Sequence, residues 1–122
     1  MKYSLPAWIG DHYISLAEIL LCIGKLLTDL QWYVNINEVA PEPGAEQLEA
    51  LSPAVPLSIF QLLHLVTPGI QVIDGEITAK DKGGKQLLLL RAVDSSSWDV
   101  ETDLEHIVRK LEDSYPELTH IE

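Results

Sequence analysis

The spacing of apolar residues changes abruptly about a quarter of the way along the chain, and this change limits the folds that the chain can adopt. Between residues 16 and 30, apolar side chains recur every three or four positions, which is the spacing of one face of an α-helix. From Trp32 to Ile36, apolar and more polar residues alternate one by one, as in a strand with one buried face. The chain therefore contains at least one helix and one strand that must bury apolar surface against other elements.

Two short segments have the form of a helix start. Ser15 and Thr102 each precede a glutamate by three positions, at Glu18 and Glu105, and this spacing is typical of a capping box. With the apolar periods that follow, these segments predict helices over residues 16–30 and 103–111. Two further apolar segments, residues 45–51 and 57–66, predict shorter helices on either side of a proline-containing break.

The second half of the chain favours strands. Residues 70–80, 86–93 and 98–102 are rich in apolar or alternating residues, and Asp74-Gly75 indicates either a hairpin turn or a bend within one long strand. The consecutive leucines at 87–90 predict a central strand that is covered on both faces. We expect residues 117–122 to be frayed.

Because the later strands follow one another without intervening helices, the order of elements predicts an α+β fold. We expect a single globular domain over residues 1–122 with a mainly antiparallel sheet of about four strands and helices packed on one face. A small mixed sheet is the alternative. No internal repeat or long linker divides the chain.

The charge balance excludes several classes of partner. The chain carries 19 acidic and 8 basic residues, for a net charge of −11, whereas nucleic-acid binding requires clustered lysine and arginine. We therefore expect no nucleic acid and no membrane as a partner, because an anionic lipid surface would also repel the chain. A basic protein remains allowed, and solubility alone would also explain the acidity.

The single cysteine, Cys22, excludes an intrachain disulfide and is consistent with a cytoplasmic protein. Since Cys22 stands in an apolar run, we expect a buried and inert thiol.

No catalytic, cofactor-binding or metal-ligating residue is predicted. The four histidines lack the spacing of a zinc-binding helix motif. The acidic residues between 94 and 103 lack the glycine and the terminal glutamate of a helix–loop–helix calcium site, and the serine cluster at 95–97 is typical of a turn. The sequence therefore favours a protein that is not an enzyme and needs no cofactor.

Acidic residues are concentrated at the end of the chain. Residues 99–122 contain eight acidic and two basic side chains, and such a surface is suited to a basic protein partner. We expect the partner-binding residues to lie on a strand exterior and on the first turn of the last helix, at Asp99, Glu101, Asp103 and Glu105.

Three functional hypotheses follow from these patterns. The first is a small acidic cytoplasmic protein-binding module, for example an inhibitor or immunity-type protein that masks a basic partner surface. The alternative is a structural or self-assembling homo-oligomer, with a homodimer as one form, because the first helix is apolar on more than one side and a small sheet leaves edges to cover. The third is an enzyme whose site forms only when distant residues meet in the fold.

Overall fold

A six-stranded antiparallel sheet forms the centre of the computed structural model, which describes residues 1–23, 27–41, 43–67 and 69–121. The strands of this sheet lie in the order β4-β5-β6-β7-β1-β8, while β2 and β3 form a separate hairpin. In chain order the elements are β1 (Lys2–Pro6), β2 (Trp8–Ile9), β3 (His12–Tyr13), α1 (Leu16–Ile23), β4 (Gln31–Val39), α2 (Ala45–Glu49), α3 (Ile59–Val66), β5 (Val72–Lys80), β6 (Gln86–Val93), β7 (Ser97–Glu101), α4 (Glu105–Ser114) and β8 (Thr119–His120).

The sheet buries one face and leaves the other in contact with solvent. Along β5 and β7 buried and half-buried residues alternate, as expected when helices cover one side of an antiparallel sheet. The covered side contains Trp32, Ile77 and Trp98, which are all 0% exposed, together with the apolar faces of the helices. We call the opposite side the bare face. From β4 to β7 it carries Tyr33, Glu76, Thr78, Leu89, Arg91, Asp99 and Glu101.

The expected α+β class and antiparallel sheet are confirmed, but the sheet has six strands rather than about four. The two additional strands, β1 and β8, lie at the ends of the chain. In β1, only Tyr3 and Leu5 point to the core, which is too short a pattern to identify from spacing. The tail that was expected to fray instead pairs with β1, where Thr119 lies opposite Ser4.

The strand β6 occupies its predicted central position between β5 and β7. Leu88 and Leu90 are fully buried in the core, whereas Leu89 lies on the bare face and is still only 7% exposed. Neighbouring side chains on the bare face therefore cover Leu89 even though it does not belong to the main core cluster.

The residues Asp74 and Gly75 lie within the single long strand β5, so the hairpin interpretation is wrong. Gly75 lies opposite Ile36 of β4, and a Cβ atom at Gly75 would stand 2.7 Å from Cδ1 of Ile36. The backbone of β4 is also close, with Cα of Ile36 at 3.1 Å and the carbonyl oxygen of Asn35 at 3.2 Å, so a larger residue would require the Ile36 side chain and the two strands to shift.

The helices begin and end differently from the sequence prediction. The helix α1 is described over Leu16–Ile23; residues 24–26 of the predicted helix lie outside the described residues, and residues 27–30 are not helical. An unexpected capping box starts α3, where the Ser58 hydroxyl accepts from the backbone N–H of Gln61 and the Gln61 side chain accepts from the N–H of Ser58.

The capping box predicted at Thr102 does not form. The helix α4 has Leu104 at its N-cap, because the buried Thr102 hydroxyl donates to the carbonyl oxygen of Leu87 at 2.8 Å. That hydroxyl also accepts from the N–H of Leu104 at 3.1 Å. None of the described helices is both long and apolar enough to cross a membrane.

A proline-containing segment lies against the outer edge of β4. Trp32 and Leu57 exchange two backbone hydrogen bonds of 2.8 and 2.7 Å, and the side chain of Pro53 borders the same strand near Val34. Because proline cannot donate to a strand ladder, Pro53 and Pro56 make this segment a poor template for a further strand.

Candidate functional site

The acidic residues Asp99 and Glu101 lie two positions apart on the bare face of β7, and both are half-buried. Asp99 stands between Arg91 of β6 and Ser4 of β1, whereas Glu101 stands between Leu89 and Lys2. Within the described part of the chain, neither carboxylate lies within 4 Å of a lysine or arginine nitrogen. The ion pairs among the described residues thus include neither carboxylate, although two basic residues, Lys2 and Arg91, are their cross-strand neighbours.

The nearest arginine is bound elsewhere. The Nε atom of Arg91 lies 3.0 Å from Oε1 of Glu76 on the neighbouring strand β5, and both side chains are a little under half exposed. This cross-strand ion pair directs the guanidinium of Arg91 towards β5, so Arg91 forms no ion pair with Asp99 on its other side.

A hollow of about 240 Å³ lies next to the two carboxylates. The side chain of Leu89 provides an apolar surface in this hollow, and Ile121, which is 52% exposed, stands at its border. Lys2 and Arg91 line the same hollow. Two carboxylates beside aliphatic carbon suit the long stem and the charged end of a lysine or arginine side chain.

The other two predicted residues, Asp103 and Glu105, are much more exposed and already have partners. Asp103 accepts a hydrogen bond of 2.7 Å from the α-amine of Met1, which lowers the pKa of its carboxyl group. Glu105 lies 3.6 Å from Arg109, one turn further along α4. The side chains of Asp103 and Glu105 are 89% and 85% exposed, so these ion pairs are strongly screened by water.

The four predicted residues thus occupy two neighbouring environments. Asp99 and Glu101 share the bare face, while Asp103 and Glu105 lie where β7 leads into α4. A second hollow, of about 170 Å³, is bordered by both Glu101 and Asp103 and connects the two environments.

Sequence reasoning did not identify a polar cluster at the junction of β3, α1 and α4. The Nε2 atom of His12 lies 2.6 Å from Oε1 of Glu18, and the hydroxyl of Tyr115 donates to the other oxygen of the same carboxylate. The backbone N–H of Glu18 donates to the Ser15 hydroxyl at 3.1 Å, as a capping box requires. The Glu18 side chain does not complete that box, because it binds His12 and Tyr115 instead.

This cluster fixes the orientation of His12. The Tyr115 residue is 7% exposed, whereas the side chains of Glu18 and His12 are 33% and 63% exposed, so the chain of hydrogen bonds runs from the core to the solvent. Burial, followed by the hydrogen bond to Glu18, raises the pKa of the Tyr115 hydroxyl. In the neutral form of His12 that donates from Nε2 to Glu18, the Nδ1 atom is a hydrogen-bond acceptor.

The thiol of Cys22 lies one helical turn after Glu18 and is half-buried, so the expectation of a fully buried thiol is wrong. Its Sγ atom lies 3.2 Å from Oγ of Ser114 and 3.7 Å from the carbonyl oxygen of Lys110. The reason is that Cys22 stands on the side of α1 that faces α4, rather than on the side that faces the sheet. In the described part of the chain, no group of three or more histidine, cysteine, aspartate or glutamate side chains is arranged to hold a metal ion.

Comparison of the chain with protein-family models, with curated proteins and with solved structures found no match.

Proposed function

We propose that this chain is a small acidic module that binds a basic surface of a partner protein, in the manner of an inhibitor or immunity-type protein. The observation that carries the proposal is the pair of half-buried carboxylates of Asp99 and Glu101, which have no direct ion pair among the described residues. A lysine or arginine from a partner would supply the missing positive charge.

Partial burial strengthens this interaction. Charges that are shielded from water attract an opposite charge more strongly than fully exposed charges do. Asp99 and Glu101 meet this condition better than Asp103 and Glu105, whose side chains are 89% and 85% exposed. We therefore assign the central contact to Asp99 and Glu101, and a rim contact to Asp103 and Glu105.

The net charge of −11 adds a long-range contribution. A field of one sign accelerates the encounter with a partner of the opposite sign, and added salt weakens this effect. Binding should therefore become slower as the ionic strength rises.

The experiment compares two double variants that change the net charge equally. One is Asp99→Lys with Glu101→Lys, on the bare face; the control is Glu46→Lys with Glu49→Lys, on the exposed side of α2. A partner is captured from the native cell with the immobilised chain, identified and purified, and its association rate is then measured by stopped flow at several salt concentrations.

We expect the variant on the bare face to slow association about tenfold or more, as in other electrostatically steered complexes, and the α2 control to have a much smaller effect. Equal effects of the two variants would show that only the overall charge matters. An association rate that neither variant changes, or the absence of any basic partner, would contradict the proposal.

A further inference from the structure

The side chain of Trp8 differs from the other two tryptophans in its exposure to solvent. Trp32 and Trp98 are 0% exposed, whereas Trp8 is 46% exposed. Leaving this much aromatic surface in water forgoes a large stabilisation by burial. An exposed tryptophan of this kind is a common central contact in protein interfaces.

Trp8 is held in place rather than left free to move. Its indole N–H donates to the carbonyl oxygen of Ser95 at 3.1 Å. On the short hairpin, Trp8 lies opposite Tyr13, and the two rings are 5.3 Å apart at an angle of 51°. A side chain that is already ordered loses less entropy when a partner binds.

The turn that receives the indole N–H is itself fixed by two hydrogen bonds to β5. The N–H of Ser95 donates to the carbonyl oxygen of Ile73 at 3.0 Å, and the N–H of Asp94 donates to the carboxylate of Asp74 at 3.2 Å. Asp94 and Ser95 both have left-handed backbone conformations, with φ of 48° and 58°. The position of Trp8 thus depends on a turn that is anchored to the main sheet.

The segments around Trp8 carry negative charge only. Residues 7–15, 70–75 and 92–98 contain Asp11, Asp74 and Asp94 but no lysine or arginine. The face of an indole ring attracts cations, and nearby carboxylates add to this attraction.

We propose that Trp8 is the anchoring contact for an arginine side chain of the basic partner, with the guanidinium group lying on the indole ring next to Asp94. This inference rests on the proposed function, since it assumes a basic partner. It places the anchor beside the turn that precedes β7, whereas Asp99 and Glu101 lie within that strand. Arginine fits better than lysine because its planar group stacks on an aromatic ring and also binds a carboxylate.

A second copy of this chain is a poor occupant of the Trp8 surface. Each copy carries a net charge of −11, so the approach of two copies would bring like charges together around Asp11, Asp74 and Asp94. Charge complementarity therefore favours a basic protein of another kind.

The test uses three blocked peptides of equal length, rich in arginine, in lysine or in serine, added to the ¹⁵N-labelled chain. The indole N–H signals of the three tryptophans are followed by NMR, because only Trp8 is exposed and its signal reports directly on the proposed site. The variants are Trp8→Ala and, as a matched change of an exposed aromatic residue, Phe60→Ala on α3, where the side chain is 69% exposed.

We expect a saturable shift of the Trp8 signal with the arginine peptide, a weaker shift with the lysine peptide and none with the serine peptide. Because a cation–π contact is lost, Trp8→Ala should raise the Kd for the arginine peptide about tenfold, while Phe60→Ala should leave the Kd unchanged. Since the Trp8 signal is missing in the first variant, both Kd values are taken from the backbone N–H signals of Asp94 and Ser95, which lie at the indole. Retained folding of Trp8→Ala is checked from the signals of Trp32 and Trp98.

Three results would overturn the inference in distinguishable ways. If the arginine peptide shifts signals of Asp99 and Glu101 but not of Trp8, the proposed function stands and the anchor is wrong. If the serine peptide shifts the Trp8 signal as strongly as the arginine peptide does, the Trp8 surface does not recognise a cation and the inference is wrong. If neither the Trp8 signal nor the signals of Asp99 and Glu101 respond to the arginine peptide, both the inference and the proposed function are contradicted.

Discussion

The bare face of the sheet and the junction between β3, α1 and α4 both carry acidic side chains, but these side chains are satisfied in different ways. At the junction, the carboxylate of Glu18 accepts hydrogen bonds from His12 and Tyr115. On the bare face, Asp99 and Glu101 have no such partner in the described part of the chain. The difference indicates that the carboxylate at the junction contributes to stability, whereas the two carboxylates on the bare face contribute little.

The largest expected loss of stability is in the hydrophobic core, which lies beneath both regions. Trp98 is 0% exposed, and its indole N–H donates to the carbonyl oxygen of Ile14 at 2.8 Å. Replacing it in Trp98→Ala should lower the free energy of unfolding by about 3–5 kcal/mol, because a cavity and an unpaired carbonyl group are left behind. The matched change Trp8→Ala should cost about 1 kcal/mol. Urea denaturation of both variants checks this, and similar losses would contradict the assigned burial.

At the junction, Tyr115→Phe removes the hydroxyl that donates to Glu18 while preserving most of the buried ring. We expect the free energy of unfolding to fall by about 1 kcal/mol at neutral pH. The control is Tyr33→Phe, whose exposed hydroxyl bonds only to Gln31 at 3.2 Å, and which should have little effect. If Tyr33→Phe lowers the free energy of unfolding as much as Tyr115→Phe does, the hydrogen bond between Tyr115 and Glu18 has no particular stabilising role.

The raised pKa of Tyr115 predicts that the stability of the protein depends on pH in the alkaline range. In the unfolded chain a tyrosine loses its proton near pH 10, but burial and the bond to Glu18 raise the pKa of Tyr115 in the native state. Above about pH 10 the unfolded state therefore binds fewer protons than the native state, and stability falls by up to about 1.4 kcal/mol per pH unit for this group. Denaturation at pH 8 and at pH 11 should show a smaller alkaline loss in Tyr115→Phe than in the unmodified chain. Equal losses of stability in the two proteins would mean that the Tyr115 hydroxyl ionises as readily in the native state as in the unfolded state.

The smallest effect is expected on the bare face. The double variant Asp99→Asn with Glu101→Gln should change the free energy of unfolding by no more than about 0.5 kcal/mol, since neither carboxylate forms an ion pair with another described residue. In Glu76→Gln, by contrast, the ion pair to Arg91 is lost, and we expect a decrease of up to about 1 kcal/mol. Thermal or urea denaturation distinguishes these cases, and a marked loss in the double variant would show that Asp99 or Glu101 has a structural role.

Most of the longer elements could be predicted from the sequence because each has a repeated hydrophobic period. The strands β4, β6 and β7 and the helices α3 and α4 lie within a few residues of their predicted positions. The strands β1 and β8 could not be predicted in this way, since each is stabilised by pairing with a distant segment rather than by its own pattern. Similarly, Thr102 has the local form of a helix cap but donates to Leu87 of β6, which only the tertiary structure brings near.

In the candidate site, too, some features could be predicted from the sequence and others could not. The sequence by itself determined the acidity of the last part of the chain and the alternation that places Asp99 and Glu101 on one face of a strand, because charge and strand period are local properties. Only the tertiary structure decided that Arg91 pairs with Glu76 rather than with Asp99, that Tyr115 meets Glu18, and that Trp8 remains exposed while Trp98 is buried. These outcomes depend on contacts between residues that are far apart in the chain, and their distances are set by strand order and helix packing rather than by neighbouring residues.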